Sequence, residues 1–583
     1  MAAVAVLAFL VFLPALRAGF VWDDQANFID NHGYRGLDLR HLRWMFSTFH
    51  MGHYIPLTWI TLGVDYLLWG MNPAGYHLTS LLLHVATTVV FYLVTLRLLG
   101  LAVSGRPAPA DARVRLASAF AALLFAIHPL RVESVAWATE RRDVLSGLFF
   151  LLAILGYLRA CEAAGAGQAR RRWLAAAAGA FVLALLSKAI VITLPVVLVA
   201  LDAYPLRRLN PPARGVWAEK LPFFLLALAG AVTAFVVSIS TAPLIPLEER
   251  GVMARLAQAG FGLVFYLWKT VVPVGLSPLY ALPASLSPLE TPFLLSSTVV
   301  LVVTGGALAA WRRFPAGLVI WASYAALLSP VLQLTHQGAA IVADRYSYLS
   351  CLGWAILAGA GLLALLRAWE GGRTGRLLVT LAIALTVLVV GVLGSLTWRQ
   401  AGVWHDSERL WGHVLAIDPK IPVAHSNLGL VLAQQGKLDE AIKHYQQALQ
   451  IRPTYSDARV NLGVALFIQG KLDEAIKRYR QALQIQPNDA ITHSNLGVAL
   501  VRQGKLDEAI KHHQQALQIQ PGKADAHYNL GLALGEVGSL KAAIASYRTA
   551  LNIAPKDWPH RQSVQQKLNE TLDRLRKGSE EYR

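Results

Sequence analysis

The sequence predicts an all-α protein, a multi-pass membrane helical bundle of about eleven spans followed by an α-solenoid. Three observations carry this. The 583-residue chain is 55% hydrophobic and only 15% charged, too apolar for an ordinary soluble protein. Its apolar residues are gathered between residue 1 and about 397, in long runs separated by short Arg-rich joins. From about 398 onward the chain turns polar and Gln-rich and repeats itself every 34 residues.

Apolar runs of roughly 17–25 residues are long enough to cross the hydrocarbon core. They fall near 2–18, 76–99, 115–131, 144–160, 173–187, 189–204, 221–240, 294–311, 316–331, 349–366 and 377–396. The first lacks a basic N-terminal region and a small-residue cleavage site, so it is expected to be a retained span. Arg113 with Arg115, Arg170 to Arg172, Arg207-Arg208, Arg312-Arg313, and Arg373 with Arg376 lie on alternate joins. The positive-inside rule makes those joins cytoplasmic. The opposite joins hold Asp23-Asp24, 132–143, Lys188, 241–293 and 332–348. Eleven spans then place the N-terminus inside and the C-terminal domain on the non-cytoplasmic side. Residues 256–275 are apolar enough to span, but counting them would put Arg312-Arg313 outside. They are therefore predicted to form an amphipathic or re-entrant helix on the outer face.

The net charge of +18 lies largely in those joins, where it orients the chain, so no nucleic-acid partner is expected. Of two cysteines, Cys161 falls near the inner end of one span and Cys351 near the outer start of another, which argues against a disulfide.

In the polar region "NLG" recurs at Asn427, Asn461, Asn495 and Asn529, and Pro453, Pro487, Pro521 and Pro555 keep the same period. Gly436, Gly470, Gly504 and Gly538 do so too, and "GKLDEAIK" occurs three times unchanged. A 34-residue period with Gly, Ala, aromatic and Pro at these offsets is the tetratricopeptide pattern of two antiparallel helices per repeat. The predicted organisation is a membrane module at 1–397, a partial repeat or linker helix at 398–421, four repeats at 422–557, and a capping helix and tail at 558–583. Such a stack presents a groove for a protein or peptide. The column Asn427, Asn461, Asn495 and Asn529 is a candidate acceptor-binding ladder, although Asn there is also part of the generic repeat consensus.

Charged side chains at membrane depth cost roughly 2.5–3.5 kcal/mol each on insertion scales, so they mark function. Asp23, Asp24, Glu133, Arg141, Arg142, Asp143, Lys188, Asp344 and Arg345 all fall at predicted outer ends of spans. Carboxylates and cations sharing one face suit transfer from a lipid phosphate. A carboxylate takes a proton from an acceptor hydroxyl, and Lys and Arg hold the leaving phosphate. His50, His53, His77 and His84 fit no compact metal site, so no metal and no cofactor are expected. Trp22, Trp69 and Trp398 read as interfacial anchors.

Three stretches, "YIPLTWITLGVDYLLWGMNPAGYHLTSLLLH" (54–84), "HPLRVESVAWATERRDVLSGLFFLLA" (128–153) and "ADRYSYLSCLG" (343–353), carry a resemblance. They resemble the membrane module of the transmembrane and tetratricopeptide repeat-containing O-mannosyltransferases and their bacterial relatives, within the GT-C glycosyltransferases. The resemblance implies inverting, metal-independent transfer of a sugar, mannose in the best-known cases, from a polyprenyl-phosphate donor to protein Ser/Thr hydroxyls. It implies that Asp23 and Asp24 are the catalytic acid pair, with the division of roles between them open. It assigns Lys188, Arg345 and Tyr346 to the donor phosphate, and Glu133, Arg141 and Asp143 to the sugar pocket. A bacterial inner membrane is the expected location. Two rivals stand beside this reading: a non-enzymatic repeat-bearing membrane scaffold, and a surface-glycan ligase or polymerase using a polyprenyl carrier.

Overall fold

The computed structural model describes residues 1–104, 111–163, 167–209, 214–241, 248, 250–283, 286–332, 340–555 and 558–580, so parts of the 241–293 and 332–348 joins lie outside the described residues. The chain divides into two units, Met1–Leu410 and Trp411–Arg583.

All eleven predicted runs fall on helical segments of the first unit. Among the described residues, six helices are long and apolar enough to cross a membrane: Pro73–Ser104, Ala138–Glu162, Arg214–Ser240, Thr291–Ala309, Leu352–Glu370 and Arg376–Val403. A seventh is bent by 56° between Ala112–Ala126 and Pro129–Ala136. Proline accounts for much of the difference from eleven. Pro14, Pro129, Pro195 and Pro330 each stand where a predicted run changes to a tighter turn or begins a new helix. Proline removes a backbone donor and clashes with the preceding turn. The run at 173–187 lies in a helix, Gly167–Ser187, that carries Arg170 to Arg172 near its start.

Residues 252–271, the segment expected to lie on the outer face, form one 20-residue helix. Helix Pro56–Trp69 was not anticipated as an element; it is only 14 residues long and carries Asp65 in its buried face. A two-stranded antiparallel ladder, Tyr280–Ala281 with Ala340–Val342, ties the segment before Asp344 to the rest of the unit. The Tyr266 hydroxyl locks the end of that ladder, donating to the Ala343 carbonyl and accepting from the Ala343 amide, both at 3.1 Å.

The most informative stretch is 125–147, every residue of which is buried although it contains Arg131, Glu133, Glu140, Arg141, Arg142 and Asp143. Ion burial on this scale persists only where partners compensate it.

The second unit contains four helix pairs, beginning with Pro422–Gln434 and Leu438–Ile451 and ending with Ala524–Glu536 and Leu540–Ile553. Gly436, Gly470, Gly504 and Gly538 turn each pair with φ between 77° and 81°, a conformation that suits glycine. In each pair a glycine of the first helix lies under a ring of the second: Gly429 under Tyr445, Gly463 under Tyr479, Gly497 under His513 and Gly531 under Tyr547. A Cβ at these glycines would meet ring carbon at 2.5–2.7 Å, so the repeat period encodes a close approach of two helices. Helix Arg561–Glu580 follows the fourth pair, with Val564 and Leu568 buried against Ile544 and Tyr547.

Candidate functional site

The acid pair sits at a distorted piece of backbone. Trp22 adopts a left-handed conformation (φ 55°), uncommon for a bulky residue, and a short π-helical turn, Gln25–Ile29, follows directly. Local strain of this kind concentrates where geometry serves function. The two carboxylates are used differently. Asp24 is fully buried: one oxygen accepts the Val21 amide (2.9 Å), the other the Thr139 amide (2.9 Å) and hydroxyl (2.6 Å). Burial pushes its pKa up to about 7. Asp24 therefore fastens the first loop to the 137–140 turn. Asp23 is half-buried, and its carboxylate makes no hydrogen bond to another described residue. Burial raises its pKa, with Arg142 and Arg345 near enough to oppose the shift.

Beside Asp23 lies an ionic centre built on Glu140. Arg142 meets both Glu140 oxygens, at 2.5 and 3.1 Å, while Lys188 Nζ lies 2.8 Å and Arg345 Nε 3.3 Å from them. Lys188 also donates to Asp143 at 2.6 Å, and Asp143 accepts from Ser134 at 3.1 Å. Arg345 pairs with Glu133 through its guanidinium, and its backbone amide donates to the same carboxylate at 2.9 Å. The arrangement is layered. The side chains of Glu133, Glu140 and Asp143 are 0–4% exposed, whereas those of Arg142, Lys188 and Arg345 are 10–16% exposed. Three carboxylates thus back three cations that are each more exposed than the acids behind them. Such an arrangement suits an anion.

The Arg345 guanidinium lies between two rings, 5.0 Å from the centroid of Tyr346 and 5.6 Å from that of Trp137. Trp137 stacks on Trp22 at 4.8 Å, so the strained residue before the acid pair is joined to the cation centre through aromatic contact. The neighbouring Asp344 accepts the Tyr280 hydroxyl at 2.9 Å, and burial, reinforced by Glu133, holds its carboxyl well above the ordinary range.

The structure therefore brings together Asp23, Glu133, Asp143, Lys188, Arg345 and Tyr346, with Asp24 behind them. It does not bring Arg141 there. Arg141 is fully buried and turned the other way, paired with Asp65 and donating to the Tyr76 carbonyl at 2.6 Å and Ser80 at 3.3 Å. Adjacent helical positions point about 100° apart, so of two consecutive arginines only Arg142 reaches the centre. Glu140 is not among the charged residues that the sequence singles out, and Arg142 is among them without an assigned role. The signal that points to both is the density of charge in "RVESVAWATERRD" within so apolar a chain.

His53 is the other unanticipated neighbour; the Arg142 guanidinium, with burial and Lys188, holds its pKa well below the ordinary value. His77 and His84 are separate from the centre. His77 bonds to the Gly19 carbonyl (3.3 Å), and His84 bridges the Tyr348 hydroxyl (2.8 Å) and the Ala126 carbonyl (3.0 Å). From Lys188 and His53 an apolar groove of about 1220 Å³ runs between helices Gly167–Ser187 and Arg214–Thr241, lined by Leu185, Leu186, Leu226, Ala229 and Val237. In the second unit, Asn427, Asn461, Asn495 and Asn529 hold the same position of the first helix of each repeat, half-buried and with no hydrogen bond to another described residue.

The tetratricopeptide repeat family model matches residues 420–488 and 488–556, which together make the repeat unit. The Drosophila melanogaster Protein O-mannosyl-transferase Tmtc1 is 25% identical over 548 residues, covering 76% of this chain and 60% of its own. The Mus musculus Protein O-mannosyl-transferase TMTC4 is 27% identical over 512 residues, covering 76% of this chain and 65% of its own. The chain is a homologue of these O-mannosyl-transferases. It spans about three-fifths of the length of these two relatives. The likeness extends over most of the chain, and the membrane helices and the repeats keep the order that the sequence predicts. Among solved structures, that of MamA is 25% identical, covers 25% of this chain and 85% of its own, and has a TM-score of 0.24.

Proposed function

We propose that the chain is a membrane glycosyltransferase moving a sugar, mannose, from a polyprenyl-phosphate donor to Ser/Thr hydroxyls of a protein, with inversion at the anomeric carbon. Its homology to O-mannosyl-transferases supports sugar transfer. The observation that carries the reading at the site is the half-buried, unbonded carboxylate of Asp23 beside the cation layer of Arg142, Lys188 and Arg345.

In this reading Lys188 and Arg345, with Arg142, hold the donor phosphate, and the groove leading from Lys188 takes the polyprenyl tail. Asp23 accepts the proton of the acceptor hydroxyl as its oxygen attacks the anomeric carbon. The bond from that carbon to the phosphate oxygen breaks, and the electron pair leaves with the phosphate, whose growing charge the cations stabilise. Asp24 positions the loop. Glu133, Glu140 and Asp143 keep the cations in place from behind, and Tyr346 with Trp137 holds the Arg345 guanidinium flat. The repeats recruit the acceptor through their half-buried asparagine column. The charge pattern of the joins supports transfer on the non-cytoplasmic face, and the membrane in this reading is the inner membrane of a bacterium.

The test is a reconstituted assay of purified protein with mannosyl polyprenyl phosphate and peptides containing Ser/Thr. Mannosylated peptide is expected from the wild type, with none from Lys188→Met or Arg345→Met. Full turnover in both variants would remove the donor role of the cation layer.

A further inference from the structure

A second cavity lies inside the membrane unit, apart from the groove at Lys188. It has a volume of about 1060 Å³ and is enclosed by helices Pro73–Ser104, Arg141–Glu162, Leu194–Ala203, Pro315–Leu328 and Leu352–Glu370. Its walls are almost wholly hydrocarbon, with Ser323 and Tyr204 the only polar side chains on them. The two ends differ. At one end Leu327 and Leu352, each 6% exposed, close the cavity; at the other Phe314 is 46% exposed and opens it. Along helix Pro315–Leu328 the distance between these ends is roughly 20 Å at 1.5 Å per residue. That is about two-thirds of the ~30 Å hydrocarbon core, enough for the full depth of a chain from one leaflet.

The open end is basic. Arg312 and Arg313 directly precede Phe314 and are exposed. Arg207 is exposed as well, in a left-handed conformation (φ 51°), and its guanidinium lies 5.8 Å over the ring of Tyr204, which lines the mouth. No carboxylate among the described residues pairs with any of these three. Their neighbours differ: Arg97 is matched by Glu162 at 3.2 Å, and Arg208 by Glu219 at 2.9 Å. An apolar cavity at least as deep as one leaflet, with arginines at its mouth that no carboxylate among the described residues pairs with, suits a lipid bearing a negative head.

We infer that this cavity binds an anionic glycerophospholipid, one acyl chain lying along the walls to Leu327 and the phosphate held by Arg207, Arg312 and Arg313. Its closed end shares Leu327 with a small pocket at Asp143, Arg345 and Tyr346, but its basic mouth lies at the opposite end, and the inference does not depend on the proposed reaction. Juxtamembrane basic residues attract anionic headgroups from the leaflet they face.

The experiment is native mass spectrometry of the full chain in detergent, titrated separately with phosphatidylglycerol, phosphatidylethanolamine of the same acyl chains, and a polyprenyl phosphate. One phosphatidylglycerol is expected to bind, in preference to phosphatidylethanolamine by on the order of tenfold or more. The triple variant R207Q/R312Q/R313Q is expected to lose that preference while still folding, because all three side chains are exposed. The cavity-filling Val319→Trp is expected to reduce binding of both phospholipids. Equal binding of the two phospholipids, or unchanged preference in the triple variant, would overturn the inference. So would displacement of phosphatidylglycerol by polyprenyl phosphate at equal concentration, which would make the cavity a carrier site.

Discussion

Lys188 Nζ lies 2.8 Å from Glu140, a residue 48 positions earlier in the chain, and its other short contact, 2.6 Å, is to Asp143. One ammonium thus joins two buried carboxylates, and one of these carboxylates also holds two arginines. Removing Glu140 leaves Arg142, Lys188 and Arg345 facing one another with less compensation. Glu140→Gln should lower stability by about 3–5 kcal/mol, the usual cost of breaking a buried ion pair from one side. A thermal unfolding scan of detergent-extracted protein checks this; an unchanged midpoint would show that the centre tolerates the excess charge.

The two acids of the first loop should separate by readout. Asp23→Asn removes a proton acceptor whose carboxylate bonds no other described residue, so transfer should fall by about 10²–10⁴ with the melting temperature unchanged. Asp24→Asn places an amide donor against N–H or O–H donors from Val21 or Thr139, which should cost about 1–3 kcal/mol of stability. Measuring turnover and melting on both variants tests the split. The same activity loss and the same destabilisation in each would assign both acids one role.

Asp23 also sets an expectation for pH. Burial raises its pKa, and a base works only when ionised, so the rate should climb with pH through an acid limb above the ordinary value of 3.8. The limb should be absent from the residual activity of Asp23→Asn. A pH–rate profile of both proteins at saturating donor gives the comparison.

His513 is a weak point in the third repeat. It replaces the tyrosine found at 445, 479 and 547, and both ring nitrogens are buried without a partner. Burial holds its pKa down at about 4, below the ordinary 6.5. The unfolded state therefore binds a proton first, and the stability of this repeat is lost as pH falls from about 6.5 toward 4. His513→Tyr should strengthen the repeat by about 1–3 kcal/mol and remove that acid sensitivity. Hydrogen exchange across helix Leu506–Ile519 in the full chain, at neutral and mildly acidic pH, measures both effects.

The charge pattern makes a topological prediction. A reporter active only in the cytoplasm, fused after Arg583, should stay silent. A strong signal would invert the orientation of every join.

Much of the architecture is legible because it rests on periodicity. Apolar runs locate helices, and a 34-residue repeat with Gly470 at its turn locates the solenoid. The interruptions are harder to weigh, since Pro129 and Pro330 break helices whose composition still reads as continuous. At the site, residue type and outer-end position suffice to gather Asp23, Lys188 and Arg345. They cannot choose between Arg141 and Arg142, because that choice is one of helical phase. They cover Glu140, which lies in the 132–143 join, but not its central place, which rests on partners 48 and 205 positions away, at Lys188 and Arg345.

Those separations bear on biogenesis. The segment 125–147 leaves the ribosome carrying Glu133, Glu140 and Asp143 long before Lys188 and Arg345 exist, and Glu133 has to wait for a cation 212 residues downstream. Until then its resting place must be wet, at the interface or against a chaperone. A nascent chain halted before about residue 345 would keep that segment unsealed, and membrane proteases could distinguish it from a finished molecule by its unneutralised acids.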